Sequence, residues 1–295
     1  MPSPSIVARG AVGIRKEASF GSGGGIDSWQ VIESSNLVPT NVHVFQDRIR
    51  NTPEQVGGRF AHRLVSGQIT FPVSPQNPTE WWECGIGGTG PYTPQLPLSS
   101  MAIEIQEGDI APVMTSGDMI SRIELASRQG DILRCTVGIE CKDQGARSAS
   151  SPSFASGDDP YLHSEATFTL DGVERPNVVS FSVVKENNLV TDLLANNRTR
   201  RDIPATKAVV TGAISLLFED TTMRNRFFNQ LPSRISANYV RGGRSLLVEL
   251  NNLVYDSSDR PLEGQTSYIV ENLNFTAYVD DPSSQNSIKL TVDRV

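Results

Sequence analysis

Leu133-Arg134-Cys135-Thr136-Val137-Gly138-Ile139-Glu140-Cys141 alternates apolar and polar side chains from end to end. Successive strand residues point to opposite faces, so Leu133, Cys135, Val137, Ile139 and Cys141 share one side of a half-buried strand. Much later in the chain, Ile269, Leu273, Phe275 and Ala277 repeat that phase between polar neighbours such as Asn272 and Asn274. One such strand argues for a mostly β fold. Two in matching settings argue for an internal repeat, which has to be identified before any other topology is considered.

Moving outward, further correspondences occur in the same order. Gly67-Gln68-Ile69-Thr70-Phe71-Pro72-Val73 resembles Gly212-Ala213-Ile214-Ser215-Leu216-Leu217-Phe218, with Ile69, Phe71 and Val73, and likewise Ile214, Leu216 and Phe218, in strand phase. Asn41-Val42-His43-Val44-Phe45 resembles Asn177-Val178-Val179-Ser180-Phe181, and Ser121 to Leu125 resembles Leu246 to Leu250. A short helical segment follows the glycine-led strand each time: Pro78 to Glu83 with Trp81 and Trp82, then Thr222 to Phe228 with Phe227 and Phe228. Paired aromatics there are expected to plug one end of a sheet core. Each half therefore reads as strand, excursion, strand, short helix and strand pair. The expected organisation is an N-terminal arm over 1–29, a β domain over 30–143, a linker over 144–160 rich in Ser, Gly, Ala and Asp, and a second β domain over 161–295.

The excursions are basic within an acidic chain. The first carries Arg48, Arg50, Arg59 and Arg63, and the second Lys185, Arg198, Arg200, Arg201 and Lys207. Both exceed a hairpin turn, and long excursions in compact domains tend to be functional. The expectation is two extended hairpin arms reaching a neighbouring subunit.

Overall, 26 Lys and Arg against 33 Asp and Glu give a net charge of −7. That balance disfavours a protein whose main task is to neutralise phosphates, and it suits a surface past which a polyanion slides without sticking. Three cysteines, Cys84, Cys135 and Cys141, form no disulfide framework and read as small core residues. The sequence MPSPSIVARG lacks the charged and apolar regions of a signal peptide, and no apolar run approaches the roughly 20 residues of a bilayer span. Synthesis in the cytoplasm is expected, with no membrane partner.

No chemistry assembles from the remaining residues. His43, His62 and His163 have no metal-ligand spacing, so neither a metal nor another cofactor is expected. Gly85-Ile86-Gly87-Gly88-Thr89-Gly90 has the spacing of a dinucleotide fingerprint but follows a helix and runs into Pro91. Helix termination explains it better. Glu80 with Glu83, and Asp158 with Asp159, read as solvated surface carboxylates. The chain is expected not to be an enzyme.

One further set of motifs bears on function. Gly13-Ile14-Arg15-Lys16-Glu17-Ala18-Ser19-Phe20-Gly21, the approach from Ser34-Ser35-Asn36 to Asn41, the strand Ser66 to Phe71 before its helix, and the closing strand Val270 to Tyr278 together resemble the bacteriophage tail tube protein family over nearly the whole chain. That resemblance implies two tandem β-sandwich or barrel-like domains, each with one short helix and a long hairpin arm. It also implies a structural virion protein made in the host bacterium, whose strands join those of neighbours around a channel for DNA and a tape-measure protein, with a sheath as a candidate outer partner. A duplicated chain would close such a ring as a pseudo-hexameric trimer; a true hexamer is the alternative. Rival readings are another tail or baseplate structural protein, or a carbohydrate-binding β-sandwich using Trp81 and Trp82 as a platform.

Overall fold

The computed structural model describes residues 10–47, 54–108, 110–148, 150–155, 159–262, 268–281 and 286–293. The first half contributes β1 (Ala11–Lys16), β2 (Ser28–Gln30), β3 (Ser34–Ser35), β4 (Val38–Gln46), β5 (Val56–Pro72), α1 (Glu80–Gly85), β6 (Met101–Gln106), β7 (Val113–Arg128), β8 (Arg134–Cys141) and β9 (Asp143–Ala146). The second contributes β10 (Ala166–Leu170), β11 (Val173–Glu174), β12 (Val178–Glu186), β13 (Val209–Leu217), α2 (Thr222–Phe228), β14 (Ser233–Arg241), β15 (Arg244–Asp259), β16 (Val270–Ala277) and β17 (Lys289–Asp293). The protein is mostly β, with every strand pairing antiparallel.

Pairing in the first half runs β2 to β1 to β6 to β7, with β9 also on β7, then β7 to β8 to β5 to β4. In the second half it runs β11 to β10 to β14 to β15, with β17 also on β15, then β15 to β16 to β13 to β12. Each half is thus a bent sheet pivoting on one long strand, β7 or β15, whose two ends pair with different neighbours.

The register identifies equivalent residues. Gly67 faces Ile139 and Gly212 faces Phe275. At both glycines a chain crosses so closely that an added Cβ would lie 2.4 Å from a carbonyl oxygen, that of Asn36 at Gly67 and that of Ser182 at Gly212. Only glycine tolerates such an approach. Ser35 therefore occupies in the first half the place of Phe181 in the second, since these face Ile69 and Ile214. The sequence match of Asn41–Phe45 with Asn177–Phe181 is out of register with this. Alternating strands match one another at many slips, and the first half carries a longer β4–β5 hairpin that displaces the similarity. The match of Ser121–Leu125 with Leu246–Leu250 slips likewise, because Ile120 faces Ile139 while Tyr255 faces Phe275.

Residues 11–30 are not an arm. Ala11, Val12 and Ile14 are buried in β1 against β6, and Glu17 at its end is buried with its carboxylate accepting N–H bonds from Gly21 (2.9 Å), Gly23 (2.7 Å) and Gly117 (3.2 Å) and the Ser100 hydroxyl (2.6 Å). The segment from Gly13 to Gly21 thus anchors a loop. The expected linker also begins inside the fold: β9 pairs with β7, and Ser150 donates its N–H and hydroxyl to buried Glu104 (3.0 and 2.8 Å).

One apolar core runs through both halves. Trp81 and Trp82 are sealed in it, Trp81 stacked on Phe71 at 5.2 Å and donating its indole N–H to Gln30 (3.2 Å). Burial of this kind leaves no ring face for a sugar. In α2 Met223 is buried and Phe227 packs half-buried against the core, whereas Phe228 is 65% exposed, so the expected aromatic plug is complete only in the first half. All three cysteines are free and buried, and burial pushes the Cys84 thiol up to about 12.

Candidate assembly interface

The two halves meet edge to edge. Strand β12 pairs antiparallel with the C-terminal end of β7, from Ser180 opposite Arg128 through Val183 opposite Leu125 to Glu186 opposite Arg122. The ladder continues past the strand ends, with Gln129 N–H donating to Val179 O and Asn187 N–H to Ser121 O, both 2.8 Å. Alternation places Phe181 and Val183 in the core on one side of this joint.

Polar side chains close its two ends. At one, Lys185 is buried and its ammonium donates to Gly85 O (2.9 Å) and to the Asn187 side-chain oxygen, while Asn187 donates to Gly85 O (3.0 Å) and Ile120 O (2.8 Å). Gly85 ends α1, so the cation sits where helix carbonyls lack partners. Its contacts are neutral, and desolvation lowers the lysine to about 8. At the other end Ser127 Oγ lies 2.9 Å from His163 Nδ1 and 2.7 Å from the Tyr239 hydroxyl, and His163 Nε2 lies 3.0 Å from Val178 O. His163 is a buried structural residue.

The basic excursions behave differently from one another. Residues 187–208 carry only the isolated Leu189–Ala205 bridge and no hairpin. They lie on the first half, where buried Arg200 donates to Val65 O (3.1 Å), Cys141 O (2.9 Å) and Thr191 O (3.0 Å) and pairs with Glu140 at 2.7 Å. Lys185 and Arg200, expected on arms reaching another subunit, are internal fasteners of this chain. Buried charges need such saturated partnerships, and a subunit surface would not supply them. Arg198, Arg201 and Lys207 are exposed, as is Arg59 on the β4–β5 hairpin, and Arg63 is half-buried against Asp143 at 3.6 Å. Arg48 and Arg50 lie outside the described residues. The two basic segments converge: Arg63 N–H donates to Arg198 O (2.8 Å), and the Arg198 guanidinium stands 5.7 Å from the Phe60 ring centre.

Outside the joint, β4 is almost wholly exposed, including Val38, Val44 and Phe45 at more than half of their surface, and among the described residues it pairs only with β5. Among the described residues the C-terminal end of β15 pairs only with β16. By register, β3 with the start of β4 occupies the place of β12, and the end of β15 that of β7.

No group of three His, Cys, Asp or Glu side chains able to hold a metal occurs among the described residues, and no helix there is long and apolar enough to cross a membrane. The surfaces with structural content are strand edges. A family model described as phage tail tube protein matches residues 7–277. The chain belongs to that family. Membership makes this protein a structural component of a virion tail. No curated protein matches the chain at a significant level.

The two ends of the joint were invisible in the sequence as functional residues. Asn187 and Ser127 carry no motif; the one available signal was a lysine, Lys185, placed in strand phase among apolar residues.

Proposed function

We propose that this chain is a tandem pair of tube-type β units, three copies of which close a pseudo-six-fold ring, and that the rings stack around a channel through which DNA passes on ejection. The β12–β7 joint carries the reading: two units of like topology already sit side by side through antiparallel strand pairing. Repeating that operation turns an open row into a ring, which leaves no strand edge exposed. The units span residues 11–146 and 166–293. A tape-measure protein would occupy the lumen before DNA, and the net charge of −7 disfavours adhesion of the passing polyanion. The exposed Arg59, Arg198, Arg201 and Lys207 of the two excursions are proposed contacts to the next ring or to a sheath.

The test is the number of chains per ring. Mass photometry of isolated rings with class averages from electron microscopy is expected to give three chains and six lobes; one chain per lobe would overturn the trimer. Polymerisation of the purified protein into long uniform tubes distinguishes a tube subunit from a baseplate ring of related fold, which would stop at single rings.

A further inference from the structure

Equivalent grooves lie beside β1 and β10, the corresponding strands of the two halves. In the second half the groove is lined by Ala166, Thr167 and Phe168 of β10 and by Val178 and Val179, with Gln129, Gly130 and His163 also at its wall, and it measures 340 Å³. Gln129 and Gly130 form the turn from β7 to β8. In the first half the same place is lined by Gly10, by Ala11 and Val12 of β1 and by Ile32 and Leu37, and it opens to 640 Å³. Among the described residues nothing fills it as that turn fills the other.

The counterpart of the β7–β8 turn is the connection from β15 to β16. Glu124 faces Thr136 and Asp259 faces Asn272. Counting three residues on, Leu262, just past the end of β15, corresponds to Ser127. The described flanks of this connection carry the two most exposed large apolar side chains described, Leu262 (81%) and Tyr268 (85%), followed by Ile269 (40%). The first half thus carries an open groove with apolar walls, and the second half carries exposed apolar side chains. Inside the chain, their counterparts are already joined.

From this we infer that the end of β15, with Leu262 and Tyr268, seats in the groove of the first half of a second copy, and that β3 of that copy pairs with β15 as β12 pairs with β7. The inference rests on the ring reading and adds its register. Ser35 takes the place of Phe181 and Leu262 that of Ser127, and in the joint Phe181 faces Ser127, so Ser35 of one copy faces Leu262 of the next. Pro39, which has no N–H, ends the ladder sooner than in the internal joint. The contact is heterologous, and only a rotation that closes produces a ring.

Directly opposed residues on paired strands bring their Cβ atoms within disulfide reach. The double variant Ser35→Cys/Leu262→Cys is expected, on oxidation, to give a covalently closed trimer on a non-reducing denaturing gel. Each single variant gives none, since Cys84, Cys135 and Cys141 are buried. A second variant, Leu262→Glu/Tyr268→Glu, changes only exposed residues; it is expected to keep the wild-type melting temperature while raising by at least tenfold the concentration needed for rings in sedimentation. Rings that form without the crosslink, or that form normally with both glutamates, overturn this interface and leave the ring reading standing. A wild-type protein that remains monomeric at every concentration overturns both.

Discussion

Helices α1 and α2 hold the same place in halves of the same topology, yet one is sealed and the other is open. Around α1, Trp81, Trp82 and Cys84 are buried, and Lys185 and Asn187 of the second half bond the carbonyl of its last residue. Around α2 only Met223 is buried, and Phe228 and Leu231 face solvent. Local sequence does not explain this, because both helices carry paired aromatics. The difference is the neighbour: α1 has the second half beside it, and α2 has no such neighbour within its own chain. Exposed apolar surface at a site whose duplicate is covered marks an interface more specifically than exposure alone.

Substitutions can break that comparison, beginning with the largest effect. Trp81→Ala removes a fully buried ring and is expected to cost about 4 kcal/mol in chemical denaturation. Phe228→Ala, at the matching helix, should cost under about 0.5 kcal/mol in the isolated chain. A comparable loss at Phe228 would show that α2 is buried after all.

Gly67→Val and Gly212→Val test whether the halves are equivalent where they look most alike. Each forces a side chain against a backbone carbonyl, and each is expected to cost about 3 kcal/mol. Unfolding midpoints that differ widely between the two would break the register on which the equivalence rests.

Lys185 offers a subtler probe of the joint. Its folded value is lowered to about 8 from an ordinary 10.5, so between those values the unfolded chain binds more protons than the folded one. Stability contributed by this group therefore rises with pH across that window, with a slope of up to about 1.4 kcal/mol per pH unit. Lys185→Met should flatten the wild-type curve there and leave it parallel below pH 7. An unchanged slope would mean that the ammonium is hydrated and the joint is open. The smallest effect is expected at Lys207→Ala, an exposed residue whose loss should shift the melting temperature by no more than about 2 °C. A larger change would indicate that its segment is held as firmly as Arg200.

Much of this architecture was legible in period-2 patterning. The strand Leu133 to Cys141, its counterpart after Ile269, the glycine-led strands and the two short helices all follow from side-chain alternation and turn chemistry, which act over a few residues. The basic excursions were legible as excursions but not as contacts. Arg200 and Arg201 are adjacent in sequence and opposite in fate: one is saturated by carbonyls of β5 and β8, the other is exposed. Nothing local separates them, because the carbonyls that bury Arg200 belong to residues far away in the chain.

The sequence by itself determined that the chain is mostly β, that its halves resemble one another, and that its motifs match tail tube proteins, since these depend on local periodicity and short motifs. Only the tertiary structure decided which residues of the halves correspond. It alone turned Lys185 and Arg200 inward and left β4, the end of β15 and one of two equivalent grooves uncovered. The reason is physical: an alternating strand can slip by two residues and keep its buried face, whereas a backbone crossing over Gly67 or Gly212 permits a single register.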